Sequence, residues 1–189
     1  MNAPTEIIWA FIGLLLTIGG NFLEASMTNP PWNWTNQGIE IHSLGVTYQI
    51  GAVLLVGCLG GKNAGVLSQI AYLVLGFSPW FSIFAKGGGL DYLKEPTLGY
   101  LLGFIPGAWI CGWLAFKIPP RLEFLAFSCL CGLFTIHIIG LSYLITSSLF
   151  SHNLLQNIWL YSIYPIPGQL AVICAVTILA FTLRQLMFY

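Results

Sequence analysis

The densest chemistry in this chain lies between Ser78 and Pro96. Within ten residues, Lys86, Asp91, Lys94 and Glu95 supply four of the chain's twelve charges, set among aromatic residues and three consecutive glycines, Gly87, Gly88 and Gly89. Consecutive glycines let backbone N–H groups approach a ligand closely, so this segment can hold an anion by backbone as well as by lysine. The plainer reading, a solvated external loop, stays open at this point. A second irregular segment runs from Tyr161 to Gln169, where Pro165, Pro167 and Gly168 interrupt regular hydrogen bonding near the start of an apolar stretch. Non-helical backbone at membrane depth persists only where it is buried in protein or lines a cavity. The two segments together predict a pocket near the external face.

The residues that a reaction would need are missing from the motifs. Gly60-Gly61-Lys62-Asn63 is the nearest approach to a phosphate-cradling loop and lacks its spacing, and no HExxH or comparable pair occurs among His42, His137 and His152. His137 lies mid-span, where a histidine serves as a proton relay or ligand contact or, more plainly, as a hydrogen-bonded packing group. Because Glu24, Glu40, Asp91, Glu95 and Glu123 all sit at ends or in loops, no acidic partner is available within the spans and the packing role is favoured. Ion-coupled transport would lack its usual relay groups. Catalytic residues, metal ligands and cofactors are therefore not expected, and a cavity without an energy source suggests a binding subunit driven by partners.

The elements that must position these residues follow from composition. Of 189 residues 57% are hydrophobic, 15% aromatic and only 6% charged, with six basic and six acidic residues leaving no net charge. A mean hydropathy of +0.84 leaves too little polar surface to coat a soluble globule, so the chain is expected to dissolve in a bilayer. No Lys/Arg run marks a nucleic-acid partner. Measured against the roughly 20 residues that span a hydrocarbon core, six apolar segments stand out, at about 7–23, 44–59, 64–77, 98–116, 124–149 and 166–183. They predict a single all-α transmembrane domain over residues 1–189, a six-helix bundle with an irregular external loop after helix 3. Barrel strands would alternate, whereas these segments are apolar on every face. The first span lacks a basic flank and a cleavage motif and is expected to be retained.

Lys62, Lys117, Arg121 and Arg184 fall on the side of both termini, Lys86 and Lys94 on the other, which predicts cytoplasmic termini. The Trp- and Pro-rich loop Thr28–Asn36 reads as an interfacial aromatic belt, and its Asn33-Trp34-Thr35 as a chance glycosylation sequon. Cys58, Cys111, Cys129, Cys131 and Cys174 all fall in apolar stretches without metal-ligand spacing and read as packing residues. In the first span, Ala10, Gly13, Thr17 and Gly20 stack small residues on one helix face. Such a face permits close helix approach in lipid, either to a partner subunit or to this protein's own helices.

Particular stretches resemble the BioY family: Val46-Thr47-Tyr48-Gln49, then Leu67-Ser68-Gln69-Ile70-Ala71-Tyr72-Leu73-Val74-Leu75-Gly76, then Phe84 to Gly89, then Pro96-Thr97-Leu98-Gly99-Tyr100-Leu101-Leu102-Gly103-Phe104. The resemblance covers about residues 43–115 and returns at Pro167-Gly168-Gln169-Leu170. It implies the biotin-specific substrate-binding (S) component of an energy-coupling-factor (ECF) transporter in a bacterial plasma membrane. Such a subunit has six transmembrane helices, a ligand enclosed near the outside, and transmembrane and ATP-binding partner subunits. Two departures stand out: Pro-Thr-Leu-Gly-Tyr replaces the usual Pro-Thr-Gly-Gly-Tyr, and the last helix carries Gln169 and Val172 where the family commonly has an acid and a lysine.

Under this resemblance, Lys86 and the Gly87–Gly89 backbone are assigned to the valerate carboxylate, with Lys94 as a substitute. Gln49 and Gln169 can offer donor and acceptor to the ureido group, and Asp91 can accept from its N–H. Trp80, Phe84, Tyr92 and Tyr100 are candidate walls or lids, interfacial anchoring being the alternative for each. In the family the first helix contacts the transmembrane partner through Ala-x-x-x-Ala, which the stripe Ala10, Gly13, Thr17, Gly20 can replace as partner interface. A self-sufficient facilitator for biotin or another vitamin stays open, as does a membrane enzyme acting on lipid or isoprenoid. The enzyme would need a carboxylate or histidine constellation facing a cavity, and the sequence shows none.

Overall fold

The computed structural model describes residues 3–29, 38–85, 87–147 and 154–188. Lys86, His152 and the aromatic loop at 30–37, with its sequon, lie outside the described residues. Among the described residues five helices are long and apolar enough to cross a membrane. They are α1 (Ala3–Phe22), α2 (Gln49–Phe77), α3 (Leu98–Ala115), α4 (Leu122–Ser147) and a composite last one. The last begins as α5 (Leu154–Ile158), passes through a π-helical turn (Trp159–Ile163) and continues as α6 (Ile166–Phe188). Large apolar side chains such as Ile7, Phe11, Phe134, Ile138 and Ile178 point outward. That is the arrangement of a bundle whose solvent is lipid, and the chain is a multi-pass membrane protein.

The 29-residue α2 is not one straight rod. On a straight helix Gln49 and Tyr72 would stand roughly 34 Å apart, yet Gln49 Nε2 donates to the Tyr72 hydroxyl at 2.7 Å. The chain folds back at Gly61, whose φ of 76° and ψ of −179° no residue with a Cβ adopts readily. Its limbs, 49–60 and 62–77, run side by side, where two separate segments were expected at 44–59 and 64–77. The start differs from that expectation, because residues 44–47 are strand rather than helix.

One short hairpin joins the helices, which the sequence did not announce. Glu24–Thr28 (β1) and Ile41–Thr47 (β2) pair antiparallel, with Ser26 opposite Ser43, Met27 opposite His42 and a register shift between Glu24 and Ser26. At this position the chain has left the apolar span, and pairing satisfies backbone groups that an open loop would leave to water. Ala25 and Val46 turn inward while most of their neighbours stay exposed. The Tyr48 N–H donates to the Leu23 carbonyl (3.0 Å), which seats the hairpin across the ends of α1 and α2.

The small-residue stripe of α1 is also corrected. Gly13, Thr17 and Gly20 are buried against α2, with Ala10 half-buried. A Cβ at Gly13 would meet Val56 Cγ1 at 2.8 Å, one at Gly20 would meet the Gln49 backbone at 3.1 Å, and Gln69 Nε2 donates to Thr17 Oγ1 at 3.1 Å. The face that permits close approach is already used inside the protein and is not a surface for a partner subunit.

Candidate functional site

Beneath the hairpin lies a cavity of about 230 Å³, bounded by the end of α1, β2, the start of the first limb of α2, Ala85 and Tyr92 of the 78–96 segment, α3 and the start of the last helix. Its polar lining is dominated by carboxamides. Asn21 closes α1, Gln49 opens α2 and Gln169 stands in the first turn of α6, and all three are buried. Each is fixed by one bond. Asn21 Nδ2 donates to the Ile83 carbonyl (3.0 Å), Gln49 Nε2 to Tyr72, and Gln169 Oε1 accepts from His137 Nε2 at 2.7 Å. An amide has two donor hydrogens and a carbonyl with two lone pairs, so each keeps both donor and acceptor capacity to spare. Thr47 and Thr97 add hydroxyls; Tyr92, Tyr100, Tyr161, Leu101 and Phe104 add aromatic and aliphatic wall.

The irregular backbone has a job here. In the π turn, Tyr164 N–H reaches back to Trp159 O (2.9 Å), and the displaced register turns Ser162 inward to hydrogen-bond the Tyr100 hydroxyl. Such turns recur at functional sites because they re-aim side chains without ending the helix. Pro165 lines the cavity itself and accepts from the Gln169 N–H at 2.9 Å, so the prolines expected to interrupt the last span mark its open end. His137 Nδ1 is buried without a partner among the described residues, which leaves the histidine anchored through Nε2 alone. The ring stands edge-on to Tyr100, 5.7 Å between centroids. It is thus the packing histidine expected, with the addition that it packs directly behind the site.

Of the residues expected at a site, Gln49, Gln169, Tyr92 and Tyr100 line one cavity. Phe84 is buried one layer behind, between Tyr72, Phe77 and Tyr92, and closes on Gly76. Trp80 is 87% exposed and Asp91 is fully exposed at its side chain, 3.8 Å from Lys94, so these three face away. High local charge marked a solvated surface there. The glycine cradle is corrected as well. Gly87 N–H donates to Phe84 O (3.1 Å) and Gly89 N–H to Gly76 O (2.9 Å), so two of the three donors are already spent on the chain. Gly88 is wedged against the Phe81 and Gly76 carbonyls, where a Cβ would come within 2.5 and 3.0 Å. The triglycine therefore folds the 78–96 segment tightly onto α2. Lys86 lies outside the described residues, but its neighbour Ala85 lines the cavity. Asn21, Thr47, Thr97 and Tyr161 were not named as site residues, although Asn21 is a polar residue ending an apolar span, Tyr161 opens the irregular segment expected to line a pocket, and Thr47 and Thr97 lie in the stretches that resemble the BioY family.

Comparison with known proteins gives a consistent setting. A family model described as BioY family matches residues 34–188. The chain is 28% identical over 184 residues to an uncharacterized 21.2 kDa protein in the psbX-ycf33 intergenic region of Cyanophora paradoxa, covering 96% of this chain and 95% of that one. It is 40% identical over 96 residues to the biotin transporter BioY of Thermotoga maritima, covering 50% and 55%. Among solved structures, the S-component for biotin from an ECF-type ABC transporter has the same fold, with a TM-score of 0.71 at 19% identity over 98% of this chain and 95% of that one.

Proposed function

The chain belongs to the BioY family, and from that premise we propose that it is the biotin-binding membrane subunit of an ATP-driven uptake transporter of the ECF type. It binds biotin at the cavity and docks on transmembrane and ATP-binding partner subunits for import; it does not transform its ligand. The observation that carries this reading is the convergence of Asn21, Gln49 and Gln169 on one cavity with Tyr92, Tyr100 and Phe104. A ureido ring presents two N–H donors beside a carbonyl acceptor, and carboxamides answer both without burying a charge. The thiolane and the valerate methylenes need the aromatic and aliphatic wall. Val172 sits where the resembled family commonly has a lysine, so this chain reads the ureido group with neutral partners. We place Lys86, next to cavity-lining Ala85, on the valerate carboxylate.

Counting the limbs of α2 separately gives six crossings, with the cavity external and both termini cytoplasmic in a bacterial plasma membrane. Calorimetry on detergent-solubilised protein tests the ligand: saturable heat with biotin, and biotin recovered unchanged, is the expected result. Heat with another vitamin and none with biotin overturns the specificity. Single cysteines at Asn33 or His152, in a background lacking native cysteines, should label from outside intact cells, and ones at Lys62 or Lys117 should not.

A further inference from the structure

Three cysteines far apart in sequence meet inside the bundle. Cys58 on the first limb of α2, Cys111 on α3 and Cys129 on α4 are each 0% exposed. Cys58 Sγ lies 3.6 Å from Cys111 Sγ and 3.5 Å from Cys129 Sγ, and all three sulfurs fall within 4.8 Å of one another. Sulfurs so spaced lie on a circle of radius roughly 2.1–2.4 Å, which brackets the ~2.3 Å of a metal–thiolate bond. From Gln49 to Cys58 and from Tyr100 to Cys111 the helices rise roughly 14–17 Å, so this cluster is separate from the ligand cavity.

We propose that Cys58, Cys111 and Cys129 form a three-thiolate site for a soft monovalent cation, Cu(I). Three sulfur ligands with no histidine or carboxylate in the group suit a soft, low-coordinate ion, whereas structural zinc takes four ligands. Two further observations support the site. Thr177 on α6, 3% exposed, has its buried hydroxyl beside Cys129, where it can donate to a thiolate. Arg184, 4% exposed, donates from Nη1 to the Ala115 carbonyl (2.7 Å), one turn beyond Cys111, and its positive charge offsets one of the two negative charges that three thiolates and one Cu(I) leave. Binding displaces the thiol protons, including the one Cys111 directs at the Leu54 carbonyl (3.5 Å). Once bound, the ion joins three helices at the end of the bundle remote from the ligand cavity.

The test uses the full chain in detergent, reduced and anaerobic, titrated with Cu(I) against a competing chelator. One ion per chain is expected, with a thiolate-to-metal absorption band. C58S, C111S and C129S should each weaken it by at least about tenfold, while C131S and C174S leave it unchanged. Should the cluster variants fail to fold, X-ray absorption on the C131S/C174S double variant decides: three sulfurs at about 2.3 Å are expected. No Cu(I) retained against the chelator, retention lost only with C131S or C174S, nitrogen or oxygen neighbours, or tight binding of Zn(II) alone would each overturn the proposal.

Discussion

His137 on α4 donates to Gln169 on α6 at 2.7 Å, so a residue that makes no entry in the cavity wall fixes the orientation of one that does. Without that bond the amide of Gln169 can rotate and present either end to a ligand. Replacing His137 by Phe, which keeps an aromatic edge toward Tyr100, should weaken biotin by about 5- to 10-fold, the scale of one net hydrogen bond. Gln169→Ala should cost at least as much. The double variant should lose little more than Gln169→Ala alone, because the histidine acts through the amide. Additive losses in calorimetry would mean that His137 and Gln169 serve the ligand independently.

Lys86 offers a charge test that separates electrostatics from loop folding. If its ammonium pairs with the valerate carboxylate, Lys86→Ala should weaken biotin by about 1.5–3 kcal/mol, the scale of a hydrogen bond to a charged group. Biotin amide, which lacks the carboxylate charge, should lose much less on the same substitution. Equal losses for both ligands would assign Lys86 to the structure of the segment between Ala85 and Gly87.

The spans were legible because lipid demands apolar side chains on every outward face, and such runs announce themselves; even the fold-back at Gly61 was marked by Gly60-Gly61-Lys62-Asn63. Gln49 and Gln169 were legible by type, as carboxamides in stretches that resemble the BioY family. What the sequence hid was commitment. Gly87 and Gly89 look like free donors until the structure shows their N–H groups bonded to Phe84 and Gly76. Asp91 and Trp80 look like ligands because charge and aromaticity are chemically versatile, yet both are exposed, as solvated or interfacial residues usually are. Thr47 and Thr97 become site residues only through the convergence of β2 and the start of α3 on the cavity, which no local pattern encodes.

Gly61 should be replaceable only at a conformational cost. A Cβ there would meet Phe116 at no less than 3.6 Å, so space is available, but φ of 76° with ψ near 180° is essentially restricted to glycine. Gly61→Ala is expected to destabilise the protein by about 1–3 kcal/mol, read as a lower midpoint of thermal unfolding in detergent. Because the substitution disturbs the reversal between the limbs of α2, it should also loosen the Gln49–Tyr72 contact and weaken the ligand. An unchanged midpoint would mean that the limbs are held apart from the turn.

The two glycines at the end of the first apolar span and the one before them separate an internal packing face from a lipid-facing one. At Gly13 an added Cβ collides with Val56 and Ser68, at 2.8 and 2.9 Å, and at Gly20 it presses on the backbone of Gln49, whereas at Gly19 nothing lies within 4 Å. Gly13→Leu should therefore overpack the α1–α2 contact by at least about 1–3 kcal/mol, lowering thermal stability in the isolated subunit. Gly20→Leu should do the same and, by displacing Gln49, weaken biotin as well. Gly19→Leu should change neither. If Gly13→Leu left stability and ligand affinity intact while abolishing partner-dependent uptake, the stripe would be a docking face after all, and the packing of α1 against α2 described above would be wrong.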